Sequence, residues 1–501
     1  MRFYQLPPAV EAAMINKKVF PYVRIAFEKS EGTQFIPNED ILSCEISSYK
    51  ETAGGIVNKG TVVLDNAAGR YESANDAELS AGLCVQIWYC FGDNMTTYLR
   101  HTLYVGRNGF ENEKTGPNNA TCTIQLVDLS ENLRNVNTQR DWTEKQVVVH
   151  CVVCDKEHPD KSLVHIIAAR AKLSVNDIDC AYLPYEIPYV VIERSVWDEL
   201  TELAAAYQVN LECGKDKPLS FTESPFDSVN AYSDEPDFTL TADDITHYRG
   251  FENNENYANC VRLKFTHYVE TQKIQLWKYS DGSCWYDENI RPYYPFTDDE
   301  REICRDGYEA AYTAMDESGK NRRVVYAEDI DDEETFTNAI TVYGEDKFII
   351  EKYDTTTYKD HAVIKLNRNG KNILLGNCSI NGSAIVGDTN CCVYLRDNDS
   401  IERHGLLVKN MTNKFLSDTE FNGEMQYKQW ASNVLEDSKK LKEGFFVKTN
   451  MALIHARAGA CMNINLEESN SSKGKKVLIE QMTLRYQKTS AFETTIWLIT
   501  A

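Results

Sequence analysis

No stretch of this sequence is apolar over the roughly 18 residues that a membrane-crossing helix needs, which argues against a helical span. The opening MRFYQLPPAVEAAMINKK, Met1–Lys18, lacks an apolar core of roughly 7–15 residues behind basic residues, so no secretory signal is expected. Positive charge is scarce. With 53 Lys and Arg against 76 Asp and Glu, the formal charge is −23, which argues against a surface that grips phosphates through Lys and Arg. A disulfide framework is also missing. The 15 Cys are odd in number and scattered from Cys44 to Cys461, with only Cys391 and Cys392 adjacent, and this fits folding in a reducing compartment. Finally, G-x-S-x-G, H-E-x-x-H, G-x-x-x-x-G-K-[ST] and G-x-G-x-x-G are all absent, so we expect no catalytic residue, no cofactor and no bound metal.

What is present points to a folded, strand-rich chain. Hydrophobic residues make up 42% and aromatics 11%, with 28 Tyr. At 501 residues it is long enough for about two to four domains. From Val19 to Val149, short alternating segments such as ILSCEISSY and CVQIWYCFGDN, broken by turn residues, predict an antiparallel β domain over 1–149. A small α/β domain is expected over 150–238. There Ser162 would cap a helix in SLVHIIAARAKL. Ser195 opens a second, with Val196, Leu200, Leu203, Ala204 and Tyr207 on one stripe, followed by strand, turn at Gly214–Lys217, and strand. Strands return over 239–501, where a second β domain is expected with a helical insertion near 280–332. The helix there is placed from about Asp298 to Asp316, capped by Thr297 with Glu300 three residues on. A last helix is expected from about Asn422 to Leu441, with Tyr427, Trp430, Ala431, Val434, Ser438 and Leu441 on one face.

Several segments carry chemistry that must be weighed. VVVHCVVCDKEHPDKS, Val147–Ser162, offers His150, Cys151, Cys154 and His158 to zinc. The β-branched run instead reads as a buried strand, in which residues three apart diverge, and no second C-x-x-C completes a set. His404 and His165 are the best general-base candidates by eye, yet a lone His is usually a packing or capping residue. The acidic EDIDDEE, Glu328–Glu334, lacks calcium-loop spacing and reads as a solvated loop. The aromatic runs at 88–91, 276–288 and 291–296 could stack on sugars, although cross-strand packing is the plainer reading.

Four pieces, in their order along the chain, resemble the tail hub proteins of bacteriophages and related contractile injection particles. These are SLVHIIAARAKLSVNDID after a valine strand, SVWDELTELAAAYQVNLECGKDKPLSF, NYANCVRLKF, and DSIERHGLLVKNMTNKFLSD with its Ser-Ile-x-x-His-Gly element. A long helix and the closing VLIEQMTLRYQKTSAFETTIWLI follow, as in that family. Each piece is common on its own, and their order carries the resemblance. It implies a mainly β, α+β fold in which two β-barrel-like domains flank a small α/β domain. It further implies a structural role at the distal end of the tail tube, as a homotrimeric ring adapting a six-fold tube to a three-fold tip. The implied partners are the tube protein and tail-tip or spike proteins, with DNA passing transiently and without specific binding. The implied location is the virion tail tip, after assembly in the host cytoplasm. The alternative is a tail-tip protein that binds host-surface carbohydrate or degrades cell wall.

Overall fold

The structure is a computed structural model that describes residues 4–15, 21–51, 55–72, 76, 78–92, 96–116, 119–138, 146–207, 209–214, 217–223, 238–253, 257–279, 308–315, 320–336, 350–368, 376–416, 420–421, 424–440, 442–465, 474–489 and 492–500. Its helices are α1 (Pro8–Ile15), α2 (Leu129–Arg134), α3 (Leu163–Ala168), α4 (Val196–Tyr207), α5 (Asn398–His404) and α6 (Gln426–Ser438). The first strands are β1 (Pro21–Lys29), β2 (Gly32–Phe35), β3 (Ile41–Lys50), β4 (Gly55–Asp65), β5 (Cys84–Phe91), β6 (Thr96–Gly116) and β7 (Asn119–Val127). Next come β8 (Gln146–Cys154), β9 (Ile178–Cys180), β10 (Leu183–Ile192), β11 (Val209–Glu212), β12 (Leu219–Glu223), β13 (Thr239–Thr241) and β14 (Ile245–Asn253). They are followed by β15 (Cys260–Tyr279), β16 (Tyr308–Ala311), β17 (Thr313–Met315), β18 (Asn321–Phe336), β19 (Ile350–Thr357), β20 (His361–Arg368) and β21 (Gly376–Arg396). The last are β22 (Val408–Thr412), β23 (Glu420–Phe421), β24 (Glu424–Met425), β25 (Lys442–Thr449), β26 (Cys461–Asn465), β27 (Lys475–Gln487) and β28 (Glu493–Thr500). The fold is mainly β with α+β character, as the alternating segments require.

The chain divides into two compact units, one of Met1–Leu263, Val393–Phe415 and Glu420–Ala501, the other of Lys264–Cys392 and Leu416–Thr419. In the first, strand alternation sets one buried face. Val62 and Leu64 of β4 and Val85, Ile87 and Tyr89 of β5 are buried, with intermediate or exposed residues between them. The main sheet runs β14-β25-β28-β27-β3-β4-β7-β6-β5-β1-β2. The N-terminal and C-terminal strand sets thus meet edge to edge at β3 and β27. Ile46 lies opposite Leu484 in that register, and the hydroxyls of Ser47 and Thr483 are 2.9 Å apart. One core serves both sets, with Ile25, Ile46 and Ile87 packing in the same cluster as Val477, Ile479 and Ile496. The path is open, with β14 and β2 at its ends and no closure into a barrel among the described residues.

The α/β region joins this sheet by main-chain pairing. β11 runs parallel to β4, placing Leu211 beside Gly55, and antiparallel to β12, as the strand, turn, strand reading expected. The Ser195 hydroxyl accepts the Asp198 N–H at 3.1 Å and so caps α4, whose Val196, Leu200, Leu203 and Ala204 are all fully buried. The expected helix near the C-terminus is α6. It begins at Gln426 because β23 and β24 occupy the preceding residues, and it buries Trp430, Ala431, Leu435 and Ser438. Leu441 lies outside the described residues.

In the second unit, β17, β18, β21 and β15 lie in that order, and β16, β20 and β19 form a separate sheet. Two expectations are corrected here. The helix placed over Asp298–Asp316 is overturned across 308–315, which forms β16 and β17, while Thr297, Glu300, Cys304 and Asp316 lie outside the described residues. Tyr308–Ala311 pairs with His361–Ile364, and Tyr312 and Ala314 are buried while Met315 is 69% exposed. A period of two therefore wins over the helical spacing of Tyr308, Ala311 and Met315, because available strand partners satisfy the backbone. The acidic Glu328–Glu334 is strand, not loop. It belongs to β18, paired with β21, with a register shift between Glu328 and Asp331 and Asp329 at φ 48°. Its charges stay tolerable because Asp329 and Asp331 are exposed and Lys273 pairs with Asp331.

Candidate functional site

The histidine and cysteine run forms β8, as its β-branched residues demand, paired antiparallel with β10 so that Cys151 faces Ile187 and Cys154 faces Leu183. Its four zinc candidates do not converge. His150 is exposed at φ 49°, the buried Cys151 thiol donates to the Ile187 carbonyl at 3.6 Å, and exposed His158 places Nδ1 3.0 Å from Asp155 Oδ2. Cys154 instead meets Cys180, with which it forms a disulfide, and His165. That pairing was not expected from the scattered cysteines. Cys180 ends β9, which runs parallel to β12 with Phe221 beside it. No local signal connects it to Cys154, 26 positions away.

Ser162 occupies the position before α3, as expected, but its hydroxyl does not bond the helix backbone. It accepts the Asp155 N–H at 3.1 Å and lies 2.6 Å from His165 Nδ1. His165 is 5% exposed, and burial, reinforced by the Lys156 charge, lowers its pKa below the ordinary histidine value. A general base needs access to a substrate proton, which this buried ring lacks. His404, the other candidate, is exposed at the end of α5 with its ring edge toward Tyr257, centroids 5.9 Å apart.

Two of the quoted sequence pieces come together around Asn259, which is completely buried. Its side-chain amide donates to the Gly405 carbonyl at 2.7 Å, and its Oδ1 accepts the Leu407 N–H at 2.8 Å. Its main chain donates to the Leu407 carbonyl at 3.1 Å and accepts from Asp397 N–H at 2.9 Å. The Ser-Ile-x-x-His-Gly element is thus a clamped helix. Asp397 caps α5 by accepting Ser400 N–H at 3.0 Å, and Gly405 ends it at φ 76°, a conformation that favours glycine. Nothing within NYANCVRLKF itself marks Asn259 apart from its neighbours.

Three polar joints, two on buried carboxylates and one on the partly buried Glu51, tie the α/β region to the strands around it. Glu199 of α4, 0% exposed, accepts the N–H groups of Glu193 and Arg194 at 2.9 and 3.0 Å and holds the Lys414 ammonium. Glu212 of β11, 3% exposed, accepts Arg457 Nη1 at 2.8 Å and the Tyr4 hydroxyl, whose pKa is pushed up to about 12 by burial and then by the Glu212 charge. Arg100 adds donation to the carbonyls of Ile454 and Ala456 at 2.8 and 3.1 Å. The third joint is Glu51, which takes Trp197 Nε1 at 3.0 Å and the Arg134 guanidinium. These groups bond largely to one another, an arrangement suited to fixing strands. One clue was present in the sequence, since Glu199 falls on the stripe of Val196 and Leu203.

The aromatic run at 88–91 packs across strands, with Tyr89 buried and edge-on to Phe492 at 5.7 Å. Of the runs at 276–288 and 291–296, residues 280–296 lie outside the described residues, and Leu276 is a core residue of the second unit. Exposed aromatic surface accompanies the open sheet ends. Phe35 of β2 is 41% exposed, Tyr248 of β14 is 40% exposed, and every residue of β2 faces solvent. Among the described residues, no helix is long and apolar enough to cross a membrane.

No family model matches the chain, and no curated protein matches it. Among the solved structures that align with the chain are three tail proteins. A tail protein from Neisseria meningitidis MC58 aligns with a TM-score of 0.49 at 10% identity, covering 95% of this chain and 96% of that one. The prophage MuSo2 43 kDa tail protein from Shewanella oneidensis aligns at 0.47 and 9% identity, covering 95% and 98%. Prophage tail protein gp18 from Listeria monocytogenes EGD-e aligns at 0.42 and 9% identity, covering 95% and 94%.

Proposed function

We propose that this chain is a structural hub at the distal end of a phage-type tail tube, closing as a homotrimeric ring around the path of the DNA. The observation that carries the reading is the open sheet, whose two ends, β14 and β2, are edge strands with exposed aromatics. An edge strand offers unpaired N–H and C=O groups, and a cyclic assembly satisfies them by repeating one heterologous contact until it closes. The order of the hub-like sequence pieces supports the same role, as does the use of buried polar groups as joints. Each subunit carries −23, so three carry −69, and a wall of that sign repels DNA in transit. Partners in this reading are the tube protein above and tip or spike proteins below, within a virion tail assembled in the host cytoplasm. The function is mechanical and no residue is assigned to catalysis.

The test is the mass of the purified chain across concentrations. A species of three 57.2 kDa chains is expected, which Phe35→Glu or Tyr248→Glu at the sheet ends should dissociate. A monomer at every concentration, with imaging that finds the chain away from the tube axis in assembled particles, would overturn the proposal.

A further inference from the structure

One buried cluster takes no part in the polar joints. Cys154 ends β8, His165 lies in the first turn of α3 and Cys180 ends β9, and their ligand atoms lie within 4.8 Å of one another. We propose that, in the dithiol state, these three side chains bind a soft divalent transition metal of the zinc class through two thiolates and an imidazole. The proposal is independent of the hub reading.

Three observations carry it. First, His165 is 5% exposed and its Nε2 has no hydrogen-bond partner, while Nδ1 is engaged with the Ser162 hydroxyl at 2.6 Å. A metal-ligating histidine has this arrangement, one nitrogen oriented by a neighbour and the other left for the ion. Second, the Cα atoms of Cys154 and Cys180 are 7.0 Å apart, just beyond the roughly 4.4–6.8 Å that disulfides ordinarily span. The backbone therefore leaves room for an ion about 2.3 Å from each sulfur. Third, two thiolates cancel a divalent charge, so the loaded site buries no net charge.

The chemistry balances. A thiol reductant supplies two electrons and two protons to open the disulfide. Metal binding then releases the two thiol protons as two metal–sulfur bonds and one metal–nitrogen bond form. The three side chains leave the fourth tetrahedral position without a protein ligand. The loaded site would staple β8, α3 and β9 together.

The experiment uses the full chain, reduced with a phosphine, stripped of metal and titrated with Co2+ under inert gas. One equivalent should bind with thiolate charge-transfer and tetrahedral d–d bands. Cys154→Ser, Cys180→Ser and His165→Gln should each abolish those bands, whereas Cys151→Ser, on the same strand but outside the cluster, should keep them. Ser162→Ala should weaken affinity about 10–100-fold by freeing the imidazole. Because a core substitution can unfold the region, X-ray absorption of the zinc-loaded wild-type chain reads the ligands directly, and two sulfurs with an imidazole nitrogen are expected. A shell of four sulfurs, a shell of oxygen and nitrogen only, uptake unchanged in both serine variants, or no stoichiometric uptake by the reduced chain would each overturn the proposal.

Discussion

The Lys414 ammonium lies 2.7 Å from a carboxylate oxygen of Glu199, a residue with no solvent exposure at all. Burial lowers the pKa of Lys414, and the hydrogen bond and charge of Glu199 act against that. Such a pair is held by its neighbours as much as by its own attraction, because the carboxylate has left water and the ammonium, 30% exposed, has left most of it. Glu199→Ala should strand the lysine and two backbone N–H groups, with a loss of about 3 kcal/mol. Urea unfolding should show a lower midpoint, and Glu199→Ala with Lys414→Met should recover part of it.

Gly55 is required by contact rather than by backbone conformation. A Cβ there would lie 2.6 Å from Trp197 Cζ2 and 2.8 Å from Thr201 Cγ2, and Trp197 is fully buried with its indole N–H fixed on Glu51. Gly55→Ala should therefore lower stability by about 1–3 kcal/mol, as overpacking does. Thermal unfolding checks this, and Thr201→Ser in the same chain should relieve part of the loss.

His455 sets a pH dependence. Burial, aided by the Arg100 charge, depresses its pKa from 6.5 to about 4. The unfolded chain takes up the proton first, so stability is lost as pH falls from about 6.5 toward 4, by about 3 kcal/mol over the window. Asp128 works in the opposite direction, since burial raises its pKa from 3.8 to about 6 and protonation then favours the folded state as pH falls. The difference between wild type and His455→Gln isolates the histidine. Unfolding free energies at pH 7 and pH 4.5 should show the wild type losing more, and equal losses would refute the assignment.

Buried thiols should be chemically silent. Burial pushes Cys44, Cys122 and Cys151 up to about 12, which leaves about one thiolate in ten thousand at pH 8. Iodoacetamide at pH 8 should leave these three unlabelled in the folded chain and label them after unfolding in urea. Mass spectrometry of peptides reads the result.

The helix α4 was legible because each cue was local. Ser195 capped it, and Val196, Leu200, Leu203 and Ala204 reached the core on the face that their spacing fixed. The strand β8 was legible from its valines for the same reason. Tyr308, Ala311 and Met315 misled because their spacing fits a helix, while the strand that pairs with Tyr308–Ala311 begins at His361, outside any local window, and the nearby Asn321–Arg323 pairs with Thr313–Met315. The polar joints were mostly hidden, since nothing near Glu212 in sequence announces Arg457 or Tyr4.

Periodicity, caps and composition by themselves determined the strand-rich class, the acidic surface and the faces that individual elements bury, because each of these is written within a few turns or one strand. Only the tertiary structure decided that β3 meets β27, that Asn259 clamps Leu407 and Gly405, and that Cys154 faces Cys180 and His165 rather than Cys151, His150 and His158. Such pairings follow from sheet register and chain closure across the whole unit, where a residue's partner is set by every strand between them.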